Sequence, residues 1–249
     1  WPDLENIPRE IDKVEEALSK QGFNIVKVMN PDSETLEDAF KDFINKYGYV
    51  KHNRLLFFYS GHGYTRSEGK KGYLVPVDAP DPNDDDMGFV QKAMNMSQIL
   101  TWARRIEAKH ALFLFDSCFS GTIFKTKSKA IPKHISHITS RPVRQFISAG
   151  SAGEEVPAKS VFVSSFIRGL EGEADIDKDG YITGTEMGSY LYKKVLYYDT
   201  GQTPQYGKIK DPDLDEGDFV FALGRDVYEQ PSKPKVVEEF DFGDIEKKR

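Results

Sequence analysis

A single cysteine, Cys118, among 249 residues leaves nothing to pair with inside the chain. No internal disulfide framework is therefore available, as expected of a chain that folds in a reducing cytosol. Basic charge is also short: 34 Lys and Arg against 40 Asp and Glu give a formal charge of -6. A phosphate backbone needs a basic face, so nucleic acid is not an expected partner. No apolar run approaches the roughly 20 residues that span a bilayer, and Trp1-Pro2-Asp3 does not open a charged-then-apolar leader. The expectation is a globular, cytoplasmic chain with no membrane partner.

What is present alternates between two periodicities. Helical spacing runs through Ile7, Ile11, Val14 and Leu18, with Gly22 to close the helix, and again through Leu36, Ala39, Phe40, Phe43 and Ile44. Helices are also expected over 96–106, 161–170 and 187–197. Short apolar runs, 55–59, 111–115 and 145–149, read as buried parallel strands. Phe23 to Met29 and Phe219 to Leu223 read as further strands. Segment 65–95, rich in Gly, Pro and Asp, reads mostly as loop. Strands alternating with helices predict an α/β fold, a mainly parallel central sheet with helices on both faces. The polar, basic stretch 125–142 is expected as an exposed flexible loop. Residues 225–249, with Pro231, Pro234 and a charged run, are expected as a tail beyond a domain spanning 1–224.

Two of the buried strands end in small and reactive residues: Tyr59-Ser60-Gly61-His62-Gly63 and Asp116-Ser117-Cys118-Phe119-Ser120-Gly121. Ligands of open α/β sheets bind beyond the carboxyl ends of strands, which makes His62 and Cys118 expected neighbours. An imidazole beside a thiol can accept its proton and return one to a leaving amine. These two segments resemble the catalytic motifs of the metacaspases and their prokaryotic relatives, the orthocaspases. A histidine about 50 residues upstream of the cysteine is also the caspase pattern.

The resemblance covers roughly residues 1–224. It implies a caspase-like three-layer sandwich, a cysteine endopeptidase with a His62–Cys118 dyad, and backbone N–H groups of Gly63 and Cys118 as oxyanion donors. It further implies that a first strand, directly before the helix of Ile7 to Leu18, lies outside this chain, on other domains or fragments of the same precursor. Phe119 departs from the pattern, because metacaspases commonly carry His there.

True caspases have Gln two residues before the nucleophile and cut after Asp; this chain has Asp116. An acid in that pocket selects peptide substrates with a basic P1 residue, Lys or Arg. Aligning Ile11, Val14 and Leu18 with the family's first helix makes Glu10 the second pocket acid, although a solvated helix acid is the other reading. Glu154 is a candidate supplement. The loop of Lys125, Lys127, Lys129 and Lys133 would suit self-cleavage by such an enzyme.

Residues 175–186, Asp-Ile-Asp-Lys-Asp-Gly-Tyr-Ile-Thr-Gly-Thr-Glu, match the twelve-residue EF-hand loop. Asp175, Asp177, Asp179, the Tyr181 carbonyl and Glu186 are the expected Ca²⁺ ligands. The cation either activates the enzyme or is a permanent structural part. The competing reading of the whole chain is a catalytically silent, calcium-binding interaction module on the same fold.

Overall fold

The computed structural model describes residues 1–66, 71–118, 124–125, 135–150, 160–198 and 201–224, with backbone alone for 118, 124 and 125. Its centre is a five-stranded sheet in the order β1 (Arg54–Ser60), β5 (His110–Cys118), β7 (Val143–Gly150), β9 (Gln205–Ile209), β6 (Phe124–Lys125). β1, β5 and β7 are parallel, while β9 runs antiparallel to β7. This is the mainly parallel, helix-covered sheet expected from the sequence.

Alternation along each strand divides the core into two layers. Leu55, Phe57, Ala111, Phe113, Phe115 and Phe146 pack against α2 (Ser33–Tyr47) and α4 (Met96–Arg105). Leu112, Leu114, Ile147 and Ala149 pack against α1 (Ile7–Lys20), α6 (Val161–Arg168) and α7 (Gly184–Tyr198). Both faces are dry, which explains near-continuous apolar runs in the strands. The rings of Phe57, Phe113 and Phe146 stack across three strands at 4.5 and 4.7 Å. Helix starts follow local chemistry: the carboxylate of Asp32 caps α2 by accepting from the Thr35 N–H at 2.8 Å.

Arg144, fully buried on β7, is a polar keystone of the first layer. Its guanidinium donates to the carbonyls of Ala103, Ile106, Lys109 and Val143. Two of these lie at the carboxyl end of α4, where helix carbonyls have no intrahelical partner. Arg144→Met is expected to lower stability by about 3 kcal/mol in urea unfolding, because the shape is kept and the buried acceptors are orphaned. Arg144→Lys should recover little, having no planar fork.

Several local expectations are corrected. Residues 23–29 run without a strand ladder. Between 23–28 and the outer edge of β1 opens a cleft of about 790 Å³, walled by Leu18 of α1 on one side and Phe43 of α2 on the other. Among the described residues the segment has no ladder partner, so its apolar side chains line the cleft without forming a strand. Segment 65–95 is more ordered than a loop. It holds an antiparallel sheet of β2 (Gly63–Arg66), β3 (Lys71–Leu74) and β4 (Met94–Asn95), with α3 (Asp86–Lys92).

The strand at 219–223 forms as β10 (Val220–Ala222), paired with β8 (Tyr181–Thr183) in a sheet of its own. Within 125–142, residues Ile135–Thr139 form α5 rather than loop. β9 has weak apolar character, and the sequence reading missed it. The expected tail, 225–249, lies outside the described residues. Among the described residues, no helix is long and apolar enough to cross a membrane.

Candidate active site

β1 and β5 run side by side in register, Ser60 opposite Asp116. The contact continues past the strand ends, where the Gly61 N–H donates to the Asp116 carbonyl at 3.4 Å. His62 therefore lies two residues beyond the end of one strand and Cys118 is the last residue of its neighbour, where it pairs through its backbone with Gly150 of β7. The expected juxtaposition at one sheet edge is present in the backbone. Gly61 has a local reason as well: a Cβ there would stand 2.8 Å from the Tyr59 hydroxyl. That hydroxyl crosses to donate to the His62 carbonyl at 2.9 Å, and Val75 N–H donates to the same oxygen at 3.0 Å. The backbone of His62 is thus clamped from β1 and from the end of β3. Gly63 opens β2, opposite Leu74.

The imidazole itself is oriented by a group that no side-chain pattern announces. His62 Nε2 lies 2.7 Å from the carbonyl oxygen of Pro2. A carbonyl only accepts, so Nε2 carries the proton and the lone pair is on Nδ1. Trp1 packs its ring against the imidazole at 5.3 Å and anchors its own Nε1–H on the Ala79 carbonyl at 2.9 Å. The histidine is held in one tautomer and one plane, as a proton acceptor at a reactive centre needs.

Asp116 is 3% exposed, and among the described residues no cation contributes to its electrostatics. Ser160 donates to Oδ1 at 2.7 Å and Ser60 to Oδ2 at 2.8 Å. Burial pushes the carboxyl up to about 6; the two hydroxyls pull it down, and the negative charge of Glu10 adds to the rise. Glu10 is tied to the same spot, since its Oε1 accepts from the Ser160 N–H at 3.1 Å. The two acids named from the sequence, Glu10 on α1 and Asp116 on β5, therefore converge on one residue at the start of α6. Sequence reading missed Ser160, although a serine directly before an apolar helical run is an N-cap signal. Ser60 was in view as part of a motif but had no assigned role. Glu154 lies outside the described residues.

The EF-hand-like segment is a compact loop between the helical turn Gly169–Glu173 and α7. Carboxylate oxygens of Asp175, Asp177 and Glu186 lie within 4.8 Å of one another. Gly180 takes φ 87°, a left-handed conformation that costs glycine least. Most carboxylates serve the loop's own backbone: Asp177 accepts from Asp179 N–H, Asp179 from Tyr181 N–H, and Glu186 from Ile176 and Thr183 N–H. Asp175 differs. It is 5% exposed, and its Oδ1 is buried with no hydrogen-bond partner. Burial raises the Glu186 carboxyl, and the Asp177 charge adds to that rise. An orphaned buried oxygen amid clustered carboxylates fits a hard divalent cation.

No curated protein matches the chain. The sequence model of the caspase domain, the C14 peptidase family, matches residues 1–211. With the fold, the paired strand ends and that match together, the chain belongs to the caspase-domain family of cysteine peptidases.

Proposed function

We propose that this chain is a cysteine endopeptidase that cuts after Lys or Arg, with Cys118 as nucleophile and His62 as its base. The observation that carries the specificity is the convergence of two carboxylates, Glu10 and Asp116, on Ser160, beside the strand end that leads to Cys118. An acid pair of this kind, Asp116 buried and Glu10 half-buried, takes up an ammonium or guanidinium through charge-assisted hydrogen bonds. The family's protein substrates supply that group at P1.

The residues then divide the work. His62 Nδ1 accepts the proton of the Cys118 thiol, while Pro2 holds Nε2–H and supports the imidazolium once formed. The sulfur attacks the scissile carbonyl, and the N–H groups of Gly63 and Cys118 face the oxyanion. The imidazolium returns its proton to the leaving amine. Water then cleaves the thioester, with His62 again taking the proton. A reducing cytoplasm suits an enzyme that depends on its one free thiol.

Calcium is the proposed cofactor, held by Asp175, Asp177, Asp179, the Tyr181 carbonyl and Glu186. When bound it supplies a positive centre that offsets the clustered carboxylates. Its reading as an activator is supported by continuity: α6 is capped by Ser160, which bonds both pocket acids, and leads through the Gly169–Glu173 turn into Asp175. Calcium titration should raise thermal stability and hydrolysis of Arg- and Lys-ending fluorogenic peptides together. Asp175→Ala should abolish both effects, and chelator should reverse them in the wild type. Activity confined to Asp-ending peptides would overturn the specificity. A calcium-stabilised protein that cleaves none of these peptides would favour the silent-module reading.

Self-processing in the basic loop is the remaining part of the proposal. Lys125 of β6 pairs through its backbone with Lys208 of β9; Lys127, Lys129 and Lys133 lie outside the described residues. Mass spectrometry should find fragments ending at one of these lysines, and none when Cys118 is replaced by Ala. The cleft beside β1 supports a further segment of the same precursor as a partner in the sheet.

A further inference from the structure

We infer that Ser160 is a positioning residue of the primary specificity pocket, acting on the substrate's basic side chain through Glu10 and Asp116. This rests on the reading that those two acids bind the P1 cation.

Ser160 is 4% exposed and stands at the junction of three elements. Its hydroxyl donates to Asp116 Oδ1 at 2.7 Å and accepts from Val163 N–H at 3.0 Å, so the same oxygen caps α6 and holds a β5 acid. Its N–H donates to Glu10 Oε1 at 3.1 Å, which fixes the α1 acid. One residue therefore sets the spacing of both carboxylates.

Spacing matters because the charge of Glu10 reaches Asp116, and two like charges left alone would turn apart or take up a proton. A guanidinium is a rigid fork, and acids facing it gain most when their oxygens are already in its plane. Ser160 and Ser60 each engage one oxygen of Asp116 and leave a second acceptor site on both. The carboxylate is thereby fixed without being used up. An N-cap serine with no other task would have no need to contact either acid.

The two roles separate in steady-state kinetics. Binding that is equal in ground and transition states appears in KM, with kcat unchanged. For Ser160→Ala, KM for an Arg-P1 peptide is expected to rise about tenfold, the equivalent of one charged hydrogen bond, with kcat within about twofold. The KM rise should be smaller for a Lys-P1 peptide, because a rotatable ammonium tolerates misaligned acids. Ser160→Thr, which keeps the hydroxyl, should restore KM. Ser160→Gly keeps most of the helix cap and lacks the hydroxyl, so it should repeat the KM defect with little loss of melting temperature. That variant serves if Ser160→Ala folds poorly.

An unchanged KM in both Ser160→Ala and Ser160→Gly, with wild type still preferring basic P1 residues, would overturn the role of Ser160 and leave the pocket reading standing. A wild type with no preference for Arg or Lys would remove the pocket reading and this inference together.

Discussion

Cys118→Ala is expected to lower kcat/KM for an Arg-P1 peptide by about 10⁴-fold or more, and His62→Ala by about 10³-fold. The first removes the only atom able to form a thioester. The second leaves the thiol in place without its proton acceptor, so attack depends on the small thiolate fraction present near neutrality. Because Cys118 is the sole cysteine in the chain, alkylation reads that fraction without interference from other thiols. Iodoacetamide should label wild type quickly near pH 7 and His62→Ala far more slowly, with both rates converging at alkaline pH. Equal labelling rates in the two proteins would mean that the imidazole does not act on the sulfur. The orientation of His62 makes the expectation specific: its Nε2 is engaged by Pro2, so Nδ1 is the nitrogen expected to take the thiol proton.

Asp116→Asn is expected to do two opposite things. Activity on Arg- and Lys-ending peptides should fall by about 10²- to 10³-fold in kcat/KM, since a fully desolvated charge facing a cation is replaced by a neutral amide. Stability should rise. Burial raises the Asp116 carboxyl from 3.8 to about 6, so the folded state holds its proton more tightly than the unfolded chain does. Between those two pH values the folded state carries the extra proton, and stability therefore falls as pH increases through that window. Above about 6 the full cost of an ionised buried acid is present, roughly 3 kcal/mol from the size of the shift. Asn carries no such cost.

Urea midpoints should therefore separate the two proteins at about pH 8 and bring them together near pH 4. In wild type, kcat/KM for basic substrates should also drop about tenfold per pH unit below about 6, as the carboxyl takes a proton and loses its attraction for the P1 cation. A variant no more stable than wild type at about pH 8, and equally active on Arg peptides, would show Asp116 to be a solvated bystander. Retaining a costly acid is understandable only at a site where charge is used.

Much of this site was legible before any coordinates. Strands buried on both faces leave uninterrupted apolar runs, so β1, β5 and β7 stood out, and so did the reactive residues where those runs stop. Asp116 was readable because it follows directly on such a run. The EF-hand loop was readable because a cation of fixed size demands oxygens and a glycine at set intervals, and those intervals are local.

Other parts carried no local signal. The carbonyl of Pro2 is the same group as every other carbonyl in the chain, so its role beside His62 is invisible until the fold brings residues 2 and 62 together. Glu10 is named in the sequence only through the family's helix pattern, and nothing local announces its bond to Ser160, 150 positions away. Strand β9, half-buried between β7 and β6, and the small sheet of β2, β3 and β4 carry no such signal, because short strands that are not buried on both faces lack a continuous apolar run. Residues 23–29 show the converse, an apolar segment without a ladder, since a strand needs a neighbour to bond and not only a face to bury.

By itself, then, the order of residues determined the layered α/β scaffold, the strand ends that bear His62 and Cys118, and the cation-binding pattern at 175–186. These are set by periodicity and by chemistry within a few neighbouring positions. Tertiary structure alone decided which nitrogen of His62 the Pro2 carbonyl holds, and that Glu10 and Asp116 share one serine. It also decided that a cleft stands open beside β1. Those depend on groups far apart in the chain meeting at fixed distances, and contacts of that kind leave no trace in local order.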